Sequence, residues 1–107
     1  MELIPAQERP APSDMEEVRT LDDHNLAGWI LEILPLQIGE SCNREEVTTL
    51  LLKRWNIVTR SGSRMFFEPY VDDVITKMIN QGLLYEYTTS AGTTRVKRPS
   101  SKAGRNR

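Results

Sequence analysis

Two stretches carry residues that could do chemistry, and both suit binding an anion better than breaking a bond. In Thr59-Arg60-Ser61-Gly62-Ser63-Arg64, two guanidinium groups are interleaved with hydroxyls and one glycine. Guanidinium N–H, side-chain O–H and backbone N–H groups can all donate to phosphate oxygen, and glycine lets the backbone come close. The competing reading is a surface loop whose arginines pair with Asp72 and Asp73, since exposed ion pairs of that kind are common and weak. The second stretch is the C-terminal end. Residues 83–107 hold one acid and six bases, net +5. Residues 1–24 hold seven acids and two bases, net −5, and residues 25–82 hold seven and six, net −1, which together make the −1 of the whole chain. An acidic arm opposite a basic end suits an anionic partner, often nucleic acid; the alternative is a merely solvated tail.

Nothing in the pattern suits catalysis. His24 is the only histidine and begins a helical pattern, where it suits capping or solvent contact. Glu45 with Glu46, and Asp72 with Asp73, are neighbours in sequence. Neighbouring helical positions do not face each other, so neither pair converges as an acid/base dyad. No Walker-type phosphate cradle and no H-E-x-x-H is present. One cysteine, Cys42, excludes an internal disulfide, and with one histidine it excludes a Cys/His zinc site within the chain. The expectation is a protein that is not an enzyme and needs no metal or cofactor. No apolar run approaches the ~18–20 residues of a membrane span. The beginning, MELIPAQERPAPSD, has neither a basic leader nor an apolar signal core. An intracellular chain follows, cytoplasmic or nucleoid-associated, without a membrane partner.

The elements that would position these residues are legible from periodicity and caps. Residues 1–12, rich in Pro, Ala, Gln and Glu, read as a disordered acidic arm. Ser13 with Glu16 has capping-box spacing, which suits either a short helix within 13–24 that dimerises or packs on the domain, or a frayed acidic turn. Leu26, Trp29, Ile30, Ile33 and Leu34 form one apolar stripe, predicting a helix over about 25–35 ended or kinked by Pro35. Asn43 and Glu46 predict the start of a second helix, 44–55, burying Val47, Leu50, Leu51 and Trp55. A loop then runs from Asn56 to Phe67, beginning with a small β-like run, Ile57-Val58. Pro69 suits a first helical position, and Val71, Val74, Ile75, Met78 and Ile79 predict a third helix over 69–81 that stops at Gly82. Residues 83–87 and 93–98 flank Ser90-Ala91-Gly92, the signal of a hairpin with a loop of three residues or slightly more. Residues 99–107 read as a disordered basic tail.

This order resembles a winged helix-turn-helix domain over residues 25–98, most specifically in KMINQGLLYEYTTSAGTTRV, which is similar to a recognition helix leading into its wing. The run from Phe67 to Val71 and the terminal G-L-L also resemble the N-terminal winged domains of restriction-system proteins. The implied fold is α+β, mainly α: a three-helix core with a C-terminal two-stranded β-hairpin and disordered tails. The implied function is double-stranded DNA binding by a small transcriptional or plasmid/phage-type regulator. Carried onto this chain, the candidates are Tyr70, Thr76, Lys77, Asn80 and Gln81 on the third helix, and Thr93, Thr94, Arg95, Lys97 and Arg98 on the wing. Arg60, Ser61, Ser63 and Arg64 belong to the preceding loop. Glu68, Asp72 and Asp73 crowd the half of the helix that would approach base edges, which favours phosphate contacts through wing and loop. A homodimer through the N-terminal arm is a further expectation. The alternative is a winged helix that binds a protein partner through its acidic arm and acidic third helix, without touching nucleic acid.

Overall fold

A computed structural model describes residues 3–5, 10–34, 41–59 and 61–98, apart from the side chains of 61–63. The fold is α+β and mainly helical. Helix α1 spans Met15–Val18, α2 Asp23–Ile33, α3 Val47–Trp55 and α4 Ser61–Asn80. Strands β1 (Cys42–Asn43), β2 (Tyr85–Thr88) and β3 (Thr94–Lys97) form one antiparallel sheet in the order β1-β3-β2, and a 3-10 turn, Arg44–Glu46, leads into α3. Among the described residues no helix is long and apolar enough to cross a membrane. The readings of 1–2, 6–9, 35–40, Arg60 and 99–107 fall outside the described residues.

The core forms where the apolar stripes of three helices meet. Leu26 and Ile30 of α2, Val47 and Leu51 of α3, and Phe67, Val71, Val74, Ile75 and Met78 of α4 are buried together, and Leu84 and Val96 close the cluster from the hairpin. Trp29 and Trp55 pack edge to face at 5.7 Å, and Phe67 lies 6.1 Å from Trp55. Such aromatic contacts add to the burial of large apolar area. Trp29 is therefore a core residue, as its place in the stripe predicts. Leu34, just before Pro35, is extended (ψ 151°), the conformation a following proline imposes.

Local polar chemistry sets the helix ends, in places one residue from the predicted position. Asp14, not Ser13, caps α1 by accepting from the Glu17 N–H, while Glu17 accepts from the Ser13 N–H and hydroxyl. Asp22 caps α2 through the Asn25 N–H. Asn43 makes no cap bond to the backbone; it is held in β1, paired with Arg95, and its amide donates to Glu46. Helix α3 ends on Asn56 in the left-handed region (φ 60°), with the Ile57 N–H bonded back to the Leu52 carbonyl. Asparagine tolerates that conformation better than other side chains. Gly82 (φ 80°) ends α4 in the same way, with the Leu83 N–H on the Met78 carbonyl. Gly92 (φ 88°) closes a three-residue turn, its N–H on the Thr89 carbonyl.

Four expectations need correction. Helix α4 starts at Ser61 and carries Pro69 inside it, so most of the expected loop from Asn56 to Phe67 is helix. Proline deprives one carbonyl of its donor, a cost of roughly 3 kcal/mol in a helix interior. Here the turns before it are anchored by buried Phe67 and by an Arg64–Glu68 ion pair one turn apart (2.7 Å). Ile57 and Val58 form no strand, and Val58 is fully exposed. Strand β1, the third member of the sheet, was not anticipated, because two residues carry no periodicity. Within the stretch read as an unpatterned arm, Leu3 is buried, its N–H donates to Gln81 Oε1 (2.5 Å), and Ile4 lies against His24.

Candidate nucleic-acid interface

The exposed residues of α4 are drawn to its two neighbours. On one flank the Tyr70 hydroxyl lies 2.9 Å from both the Leu21 carbonyl and Asp23, Lys77 is 2.7 Å from Asp23 and 3.2 Å from Asp73, and Gln81 holds Leu3. Burial and the neighbouring Asp23 carboxylate push the Tyr70 phenol well above its ordinary range. On the other flank Arg44 reaches across from the 3-10 turn. It bonds Asp72 (2.7 Å), the Asp72 carbonyl (3.1 Å), Thr76 Oγ1 (2.5 Å) and Glu86 of β2. Arg64 lies within α4 and bonds Glu68 and Thr49. Ser61 and Ser63 lie in the first turn of the same helix. Asn80 is exposed. The α4 cations Arg64 and Lys77 thus already have carboxylate partners.

Asp23 at this junction yields a pH dependence. The hydrogen bond from Lys77, assisted by Tyr70 and opposed by partial burial, lowers its carboxyl below the ordinary value. A depressed native value means that the stabilisation is complete above the unfolded value near 4 and disappears as the pH falls through the native one. The urea midpoint of the wild type is expected to drop on acidification below about pH 4. Asp23→Asn should be less stable at neutral pH and lose less on acidification; equal acid losses in the two proteins would contradict the assignment.

The hairpin differs in kind. Directly paired residues share a sheet face and alternate residues switch faces. Asn43, Arg95 and Tyr87 therefore form one row across the sheet, and Lys97 with Tyr85 the next. Cys42, Val96 and Glu86 take the opposite face, from which Cys42 and Val96 enter the core. Burial pushes the Cys42 thiol up.

On the outer face Arg95 is clamped. Its Nε donates to Ser41 Oγ (2.7 Å), Nη1 to Asn43 Oδ1 (2.7 Å) and Nη2 to the Ser41 carbonyl (2.8 Å). Ser41 Oγ also shares a hydrogen bond with the Tyr87 hydroxyl (2.8 Å). The Tyr85 and Tyr87 rings stack with centroids 6.2 Å apart and planes 26° from parallel, and Lys97 Nζ lies 5.4 and 5.6 Å from them. The Ser41 hydrogen bond and, after it, the Arg95 charge lower the Tyr87 phenol below its ordinary value. Arg98, just beyond β3, donates to the Leu31 carbonyl. Among the described residues neither Arg95, Lys97 nor Arg98 has a carboxylate within ion-pair distance. Thr94 pairs with Thr88 and Thr93 flanks the turn, its N–H on Thr89 Oγ1.

The sequence reading named Arg95, Lys97, Arg98, Thr93 and Thr94 but missed Tyr85, Tyr87, Ser41 and Asn43. The tyrosines could have been found: Tyr-x-Tyr opposite Arg-x-Lys is a period-two signal once the hairpin register is known. Ser41 and Asn43 carried no such signal.

A groove of about 460 Å³ lies between the 3-10 turn, α3 and α4. Arg44, Glu45, Thr48, Glu68, Pro69, Val71, Asp72 and Ile75 line it, so its charge is opposite to that of the hairpin face. Among the described residues no group of three or more metal-ligating side chains occurs. Comparison with protein-family models, with curated proteins and with solved structures finds no match to this chain.

Proposed function

We propose that this chain is a nucleic-acid-binding protein of winged helix architecture, and that it makes its contacts through the outer face of the sheet rather than through α4. The order helix, strand, helix, helix, hairpin, with the first strand pairing the last, supports the architecture. One observation carries the ligand: Arg95 and Lys97 of the outer face lack carboxylate partners among the described residues, whereas Arg64 and Lys77 of α4 have them. An uncompensated cluster attracts phosphate, while a paired one must first give up its partner. Binding rather than catalysis is the activity, in a cytoplasmic or nucleoid-associated regulator. Duplex DNA is the ligand implied by the family resemblance.

The test is a titration of labelled duplex at several salt concentrations. Two phosphate contacts, at Arg95 and Lys97, predict a log–log slope of about −2. Lys97→Glu, which removes a side chain whose only described contacts are the two rings, should weaken binding about tenfold and flatten the slope by about 1. Asn80→Ala on α4 should leave binding unchanged. A loss with Asn80→Ala and none with Lys97→Glu would reverse the assignment of the face.

A second reading is favoured by the groove beside α4. Glu45, Glu68 and Asp72 there suit a basic segment of a partner protein. Failure of every nucleic acid to bind, together with capture of a basic peptide that Glu45→Lys abolishes, would establish that reading instead.

A further inference from the structure

We infer that the outer face of the sheet is a stacking surface for unpaired bases, so that its ligand class is single-stranded nucleic acid. The inference deepens the proposed function and rests on the same face. The tyrosine pair is its basis. Tyr85 remains 53% exposed although it already stacks on Tyr87, so one ring face is buttressed while much of the side chain stays open to solvent. Duplex DNA presents base edges in its grooves, not base faces. A ring aimed outward from a sheet has nothing to stack on in a closed duplex, whereas any unpaired base can lie flat on it, whatever its identity.

The cations around the rings match the other half of such a ligand. Lys97 Nζ sits over both rings, and Arg95 is held beside Tyr87 by Ser41 and Asn43 with no carboxylate within ion-pair distance among the described residues; Glu46 is linked to it only through the Asn43 amide. A strand whose base covers Tyr85 therefore brings its flanking phosphates to fixed positive charge. None of the six side chains on this face (Ser41, Asn43, Tyr85, Tyr87, Arg95 and Lys97) is anionic or aliphatic. Charge complementarity favours a polyanion, and stacked rings without surrounding aliphatic surface favour bases over a protein partner.

The test uses the full chain with labelled oligothymidylate, oligouridylate, a duplex of equal length and an acidic peptide, compared by anisotropy at one salt concentration. Single strands should bind more tightly than duplex. Tyr85→Leu should weaken single-strand binding about tenfold and leave duplex binding unaltered, and Tyr85→Trp should retain it. An unchanged circular dichroism spectrum establishes that each variant is folded. Duplex bound more tightly than single strand, or Tyr85→Leu without effect, would overturn the stacking role while leaving the nucleic-acid reading intact. No binding to any nucleic acid would overturn both, and binding of the acidic peptide alone would reassign the face to a protein ligand.

Discussion

Phe67→Ala is expected to destabilise the domain by about 3–5 kcal/mol, the range for deleting a buried aromatic ring. The ring is 1% exposed and packs against Trp55, which in turn meets Trp29, so the cavity would open at the centre of an aromatic cluster that joins α2, α3 and α4. A small domain has roughly 0.05–0.15 kcal/mol of stability per residue, so this loss is a large share of the total. The effect should also be local. Phe67, the Arg64 contacts and Arg19 lying 4.6 Å over the Phe66 ring hold the turns of α4 that precede Pro69. Without the ring, those turns lose their main compensation for the missing proline donor, and the helix should retreat toward Pro69. Urea unfolding measures the global loss, and amide exchange over residues 64–68 measures the retreat. A loss under about 1 kcal/mol, with exchange unchanged, would mean that this half of α4 is anchored elsewhere.

Arg44→Met is expected to cost about 1–3 kcal/mol. The side chain is only 15% exposed, and its guanidinium satisfies Asp72, Thr76 and Glu86 at once, joining the turn before α3 to α4 and to β2. Methionine keeps much of the apolar stem but leaves Glu86, 32% exposed, without its partner. Asp72 is 64% exposed and is rehydrated easily, so its share of the loss is small. The decisive measurement is a double-mutant cycle with Glu86→Gln. A coupling of about 0.5–3 kcal/mol is expected, with the double variant more stable than the sum of the single losses implies. Zero coupling would mean that Arg44 and Glu86 merely sit side by side. Because Arg44 is engaged by Asp72 and Glu86, this cation beside α4 is already compensated within the fold, as are Arg64 and Lys77. That moves attention to the hairpin, whose cations have no such partners among the described residues.

Cationic and aromatic positions were legible unequally. Arg95, Lys97 and Arg98 stood out because they cluster in sequence. Arg64 stood out for the same reason, but its neighbours in sequence include Phe67, and that apolar anchor pulled the whole segment into a helix. Pro69 misled for a physical cause: a proline is most economically read as a helix start, and contacts such as the packing of Phe67 on Trp55 and the bond from Arg64 to Thr49 oppose that local preference. Arg44 had no signal at all, since its three partners lie 28 to 42 residues away.

By itself the order of residues determined what depends on near neighbours. It determined the apolar stripes of α2, α3 and α4, the left-handed stop at Gly82, the three-residue turn closed by Gly92, and hence a mainly helical chain ending in a hairpin. These follow from side-chain periodicity and backbone sterics within a few residues. Tertiary structure alone decided that Cys42 and Asn43 would join the sheet, that α4 would begin eight residues before Pro69, and which cations would find carboxylates. Each of those outcomes is an energy shared between segments distant in sequence. No local pattern contains it until the core has brought the segments together.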